Sequence, residues 1–370
     1  MKKKLGYIMF AAFFAVFRIC PLQKNKVFFV ATHDDSEEGN AGIVAGEIRK
    51  ALPEKKLVFL TRRDGIRHPL RFFIGKAFHM ATAGTIFMDN HFMPMAYTPI
   101  SKRAKVVQLW HGTGTIKKFG LDAESGELAR LARRANQRTT HLIVGSERAR
   151  RQYRSAFGIP EEKIYVIGLP RTDRMLDEPW MEERRRRFFT RYPQLENRRR
   201  ILYAPTFRDE EAENPHIALD LEKVAGQLSD DEVMMLRLHP HVAGNIGKTG
   251  LSEYAGKIVD VSGYPGVATL LAVADVLVTD YSSIIFEYCL REKPMCFYAY
   301  DLESFREKGR GFYEDYESFV PGPVVRTQEE LMSFLAERPQ GTQDVSLFTR
   351  ENVACRDKKS VERLLHLIFS

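Results

Sequence analysis

From Val27 onward, short apolar runs alternate with longer stretches in which apolar residues recur at helical spacing. The first runs are Val27–Ala31, Leu57–Leu60, Thr85–Met88, Lys105–Trp110, His141–Val144 and Ile164–Ile167. A second set follows at Arg200–Ala204, Val233–Leu238, Lys257–Val261, Asp275–Thr279 and Met295–Ala299. Few of them alternate apolar with polar, which is the pattern of strands covered on both faces in a parallel sheet. With helical stretches such as Gly42–Leu52 and Glu127–Asn136 between them, the order is βαβα, twice over. The predicted fold class is therefore α/β, with two doubly wound Rossmann-type domains and a cleft between them. Residues 177–199 break the rhythm with Pro179, a charged helix Met181–Phe189 and Pro193, and are read as a linker. That places the domains at 21–176 and 200–345, with a helical tail at 346–370. Ligands in such folds meet the carboxyl ends of the strands.

Ahead of the first domain, Lys2-Lys3-Lys4 precede an uncharged, aromatic-rich stretch from Leu5 to Phe17. It is shorter than the roughly 20 apolar residues that span a bilayer, and its cationic flanks suit an interfacial helix. Residues 1–20 are thus expected to associate with a membrane. The other readings are a signal peptide, which lacks a small-residue cleavage site before Pro21, and a helix packed into the fold. A net charge of +8 and arginine clusters at 130–154, 184–187 and 198–200 favour a polyanionic partner, here an anionic membrane surface. No helix-turn-helix, zinc finger or RNP-type signature accompanies the charge, so nucleic acid is not expected. Cys20, Cys289, Cys296 and Cys355 show no metal or disulfide spacing, and neither a metal nor a cofactor is implied.

Four segments place polar groups just beyond an apolar run. In Leu109-Trp110-His111-Gly112-Thr113 a buried strand delivers a histidine into a glycine-containing loop, as a base or as a loop histidine capping a carbonyl. In Ala204-Pro205-Thr206-Phe207-Arg208-Asp209, Thr206 and Arg208 are suited to phosphate oxygens. In Arg237-Leu238-His239-Pro240, period-2 alternation predicts Arg237 and His239 on one side. In Thr279-Asp280-Tyr281-Ser282-Ser283, followed by the helical Ile284–Tyr288, the turn offers backbone N–H groups and hydroxyls to an anion, or Ser282 serves only as a helix cap.

These motifs, with Gly168-Leu169-Pro170-Arg171-Thr172-Asp173, Pro294-Met295, Tyr298 to Leu302, Arg310-Gly311-Phe312-Tyr313 and Pro321-Gly322-Pro323, resemble the CDP-glycerol glycerophosphotransferase family of teichoic acid synthesis. The resemblance runs from about Lys105 to about Val325. It implies a GT-B-like fold, an acceptor-side N-terminal domain and a C-terminal CDP-alditol domain. It also implies transfer of glycerol phosphate from CDP-glycerol to an undecaprenyl-diphosphate-linked saccharide at the cytoplasmic face of the membrane, with CMP released. His111 and His239 are the catalytic candidates, His111 as base. Thr206, Arg208, Arg237, Thr279, Asp280, Tyr281, Ser282, Ser283, Glu287 and Arg310 are the donor-binding candidates. Gly112, Thr113, Pro170 and Arg171 complete the site. Phe207 stands where the family pattern has tryptophan, and the region before Lys105 matches only loosely. The length leans toward a primase-like, single-unit transferase. A CDP-ribitol transferase, a nucleotide-sugar glycosyltransferase and a non-catalytic module for anionic lipid or nucleic acid remain the alternatives.

Overall fold

A computed structural model describes residues 2–64, 69–208, 216–239, 242–243, 254, 256–341 and 343–370. The chain forms two compact units, Met1–Gly114 with Lys118–Asp173 and Asn352–Ser370, and Thr115–Lys117 with Arg174–Glu351. The first contains β1 (Gln23–Ala31), β2 (Lys56–Thr61), β3 (Ala83–Met88), β4 (Lys105–Gln108), β5 (His141–Val144) and β6 (Ile164–Val166). They form a parallel sheet in the order β2-β1-β3-β4-β5-β6. The second contains β7 (Arg199–Tyr203), β8 (Glu232–Leu236), β9 (Ile258–Asp260), β10 (Val276–Thr279), β11 (Met295–Tyr298) and β12 (Val324–Val325). Its sheet is also parallel, in the order β12-β11-β10-β7-β8-β9. Every expected run holds a strand. β12 is additional, a two-residue edge strand too short to leave a hydrophobic run in the sequence.

The uninterrupted apolar runs follow from two-sided burial. Phe28 and Val30 of β1 enter one core with Phe10, Phe14 and Met80, while Val27, Phe29 and Ala31 enter another with Val44, Ile48, Leu364 and Ile368. The first of these cores includes helix α1 (Lys2–Phe17), in which Phe10 and Phe14 are 0% and 1% exposed. Residues 2–17 are therefore packed into the first unit rather than standing apart as a separable anchor. Burying such side chains stabilises by about 1.5–3 kcal/mol each. The other core is closed by α2 (Asn40–Ala51) and the helix Ser360–Phe369.

Two further stretches differ from the sequence-based layout. The helix Glu178–Arg191 lies within the second unit, where Met181 and Phe188 are buried and Phe188 meets Tyr264 edge-on at 5.2 Å. Met181 and Phe188 are two turns apart, so they share a face, and the arginines around them obscured that stripe in the sequence. The segment after Asn352 returns to the first unit. Ser360 Oγ donates to Asp173 at 2.7 Å, and Gly168, at φ +85°, leaves the room its approach needs, since a Cβ there would run into Ser360 Oγ.

Each sheet has one point where the strand order reverses. In the first, the chain runs from β1 out to β2 and returns to β3 on the other flank of β1; in the second, β7 is followed outward by β8 and β9 before β10 takes its other flank. The loops leaving β1 and β3, and those leaving β7 and β10, thus diverge at these switch points, the place where sheets of this kind usually meet their ligands.

Candidate active site

In the first unit the site is built around His111. β4 ends at Gln108, and Trp110 adopts φ +55°, a left-handed conformation unusual for a bulky residue. The Trp110 N–H donates to Gln108 Oε1 at 2.9 Å, and its carbonyl accepts from Asn40 Nδ2 at 3.0 Å. Side chains, not the sheet, therefore hold both peptide groups of this strained residue. The next residue is gripped too, with the His111 carbonyl accepting from Arg171 Nη1 at 2.8 Å and the Arg171 N–H donating to Asn40 Oδ1 at 3.1 Å.

The His111 ring lies with Nδ1 3.1 Å from the Asp89 carbonyl oxygen. A carbonyl can only accept, so Nδ1 carries the proton and Nε2 keeps its lone pair. Trp110 flanks the ring at 4.1 Å between centroids, and His33 stacks on it at 3.7 Å with an interplanar angle of 11°. Burial, reinforced by His33 and Arg171, pushes the His111 pKa down to about 3, below the ordinary value that the sequence suggests. The imidazole is neutral at physiological pH. Gly112 and Thr113 are buried behind it, where the Gly112 carbonyl accepts from Tyr153 Oη at 3.0 Å, and Pro170 opens the short helix that carries Arg171.

The second unit organises its switch point by charge. Arg208 makes a bidentate pair with Asp301, Nε to Oδ2 at 2.7 Å and Nη2 to Oδ1 at 2.9 Å, and reaches Asp280 Oδ2 at 2.9 Å through Nη1. Burial works against its charge, but Asp301 and Asp280 outweigh that and raise its pKa. Asp280 also accepts from the Thr206 N–H at 2.8 Å and the Tyr281 N–H at 2.6 Å, and Tyr281 Oη donates to Asp301 at 2.9 Å. Thr279 is buried, its hydroxyl given to the Ala204 carbonyl at 2.7 Å. Arg208, Thr279, Asp280 and Tyr281 are thus brought together, but as a framework that binds itself.

The other donor candidates are distributed around it. Ser282 and Ser283 are half-buried in the turn after β10, where Ser282 Oγ accepts from the Ile284 N–H at 3.4 Å. Thr206 Oγ1 is buried with no partner among the described residues. His239 is exposed and stacks on Phe207 at 4.4 Å. Arg237 turns away from the expected joint presentation with His239 and donates to the carbonyls of Ser262 and Tyr264. β8 has already ended at Leu236, so strand alternation does not govern these two side chains. Glu287 is buried and Arg310 exposed. Asp209, Pro240 and His241 lie outside the described residues.

Sequence reasoning gave no role in the site to His33, Asp89 or Asn40. His33 follows β1 and Asp89 follows β3, so the strand-end argument that singled out His111 applies equally to them. Asp301, the second partner of Arg208, follows β11 in the same way. No metal-binding group of His, Cys, Asp and Glu occurs among the described residues.

Comparison with known proteins bears on this geometry. The family model described as CDP-glycerol:poly(glycerophosphate) glycerophosphotransferase matches residues 12–370. The teichoic acid poly(ribitol-phosphate) polymerase of Bacillus spizizenii is 33% identical over 99% of this chain and 60% of its own length. The teichoic acid glycerol-phosphate primase of Bacillus subtilis is 30% identical over 88% of this chain and 82% of its own. Among solved structures, the wall teichoic acid polymerase TagF superposes with a TM-score of 0.84 at 23% identity, covering 99% of this chain and 96% of that one. The fold is GT-B-like.

Proposed function

The chain belongs to the CDP-glycerol:poly(glycerophosphate) glycerophosphotransferase family, and from that premise we propose that it transfers an alditol phosphate from a CDP-alditol to the hydroxyl of a lipid-linked acceptor, releasing CMP. His111 is the general base. The observation that carries this role is the Nδ1 contact with the Asp89 carbonyl, which leaves Nε2 as the basic edge of a ring gripped on its faces and backbone. The acceptor hydroxyl gives its proton to Nε2 as its oxygen attacks the alditol-bearing phosphorus, and the bond from that phosphorus to the CMP oxygen breaks. A base whose pKa is low in the free protein becomes stronger when a pyrophosphate dianion is bound beside it, because the imidazolium then has a counter-charge. On the donor side, Ser282, Ser283, Thr206 and His239 are the groups that meet the nucleotide, positioned by the Arg208 framework.

Glycerol and ribitol donors are both within this reading, since the chain's relatives include enzymes named for each. CMP release from CDP-glycerol and from CDP-ribitol, each with and without acceptor, is the test. Acceptor-dependent release with either donor supports the assignment and its rate ratio names the alditol. No release with both favours a nucleotide-sugar enzyme or a binding module.

The protein works at a membrane surface in this proposal. Exposed Leu5, Ile8, Met9, Val16 and Ile19 lie on or beside α1, and Leu70 and Ile74 on a neighbouring segment that packs against it. α1 is thus apolar on its buried and its outer face, and no helix among the described residues is long and apolar enough to cross a membrane. Insertion of the outer face into anionic lipid is checked by flotation of Leu5→Ser/Val16→Ser protein, which is expected to lose liposome binding while remaining folded.

A further inference from the structure

The ring that covers His111 is itself a histidine, and it sits at the switch point of the first sheet. His33 follows β1, and the loop carrying it is fastened from β3: the Asp89 carboxylate accepts the N–H groups of Thr32 at 3.0 Å, His33 at 3.2 Å and Asp34 at 3.0 Å. The same residue's carbonyl receives His111 Nδ1. One aspartate therefore sets the position of both imidazoles, and their centroid separation of 3.7 Å and angle of 11° follow from that shared attachment. His33 is exposed while His111 is half-buried, so His33 forms the solvent side of the stack, and Trp110 packs against the same imidazole at 4.1 Å with a tilt of 30°.

We propose that His33 is a positioning residue for His111, acting through its ring face to keep water off the imidazole and to hold Nε2 as its one open edge. The inference rests on the proposed role of His111 as base. The lone pair of an imidazole lies in the ring plane, so with Nδ1 bound to a carbonyl the proton enters at Nε2, and a ring stacked on the imidazole face limits how far that edge can swing and how much water reaches it. When His111 takes the acceptor's proton it becomes a cation against the π-face of neutral His33, a favourable arrangement. Around this pair, Arg171, Arg62 and Asp34 face His33, and Arg171 and His91 face His111. The positive charges oppose a second proton on the stack, and although part of its side chain is open to solvent, His33 is itself held below its ordinary pKa, first by desolvation among its neighbours and then by Arg171.

His33→Ala removes the face, and His33→Phe keeps it without a titrating group. Both are read in the full chain, kcat and KM for the CDP-alditol over about pH 4 to 8 and the carbon-13 NMR titration of the His111 ring down to about pH 2, so that a midpoint well below the ordinary imidazole value is spanned. For His33→Ala the expected results are a kcat about tenfold lower, a donor KM within about twofold, and a His111 titration raised by about one unit or more as water reaches the ring. His33→Phe is expected to restore the wild-type titration and most of the turnover. Unchanged kcat and titration in His33→Ala would make His33 a bystander, and a raised donor KM at constant kcat would make it a substrate contact. Failure of His33→Phe to rescue would show that imidazole chemistry, not the face, is what matters; each of these overturns the proposal. If wild-type protein consumes neither donor, the functional reading fails on its own, while the titration still decides whether His33 shields His111.

Discussion

The two switch points are built from opposite materials. In the first unit the central side chain is a neutral imidazole whose Nδ1 is held by one carbonyl, whose face is stacked on His33 and whose own backbone carbonyl is gripped by Arg171. In the second, the central side chain is a guanidinium spent on two carboxylates within its own unit. A functional group that is positioned by backbone and by stacking keeps its reactive edge. A charge that is positioned by countercharges loses its availability and becomes scaffold. Under the proposed function the contrast divides the polar motifs into those that act and those that hold the actors, and mutations at the two centres should separate along that line.

The largest effect is expected from His111→Ala, which should reduce kcat by about 10²–10⁴-fold with donor affinity changed only severalfold. Its unfolding midpoint should move little, because only a carbonyl and two ring faces lose contact. Turnover near the wild-type value would remove His111 from the chemistry. Arg208→Ala should show the reverse pattern, losing about 3–5 kcal/mol of stability as buried Asp280 and partly buried Asp301 are left without their countercharge. Urea denaturation measures this, and a stable Arg208→Ala protein that has lost only donor binding would mean the arginine is a ligand group after all.

A smaller change is expected at the turn after β10. Ser282→Ala with Ser283→Ala should weaken CDP-alditol binding by about 1.5–3 kcal/mol for each charge-assisted hydrogen bond lost, with stability nearly unchanged. Calorimetry with the nucleotide donor distinguishes this from a cap-only role, in which binding would be wild-type and the protein slightly less stable.

The most gradual effect is the acid dependence of folding. The folded protein holds His91 and His111 at pKa values of about 4 and about 3, chiefly through burial, whereas the unfolded chain protonates near the ordinary value of 6.5. The unfolded state therefore binds more protons below about pH 6.5, and the stability due to neutral burial is present above that value and declines as the pH falls toward about 3. Unfolding midpoints measured across this range should fall continuously, and replacing His91 by Gln should flatten the upper part of the decline.

Much of this arrangement was legible in the sequence. Apolar runs located the strands, and the ends of those runs located His111, the Arg208 segment and the turn at Ser282 and Ser283. What the sequence withheld was pairing. Arg208 and Asp301 are far apart along the chain, and a lone arginine in a strand-end loop reads as a phosphate ligand until its carboxylates are seen. His33 was legible in position but not in consequence, since its stacking depends on Asp89 reaching across from β3. Trp110 was read as the last residue of a strand because it closes the largely apolar run Lys105–Trp110, and its left-handed backbone rests on Gln108 and Asn40, side chains that no local pattern connects to it.

The return of residues 352–370 to the first unit sets an order of assembly during synthesis. Apart from Thr115–Lys117, the second unit is drawn from one continuous stretch, Arg174–Glu351, and is complete in the chain before the helix Ser360–Phe369 has been made. The first unit, although most of it is translated earlier, must wait with the face of α2 and the odd-numbered side of β1 uncovered until Leu364 and Ile368 arrive. The usual sequence, in which the N-terminal domain matures first, is inverted here. A nascent chain stalled between these stages carries a finished second unit and an exposed apolar surface on the first, the kind of surface that chaperones hold.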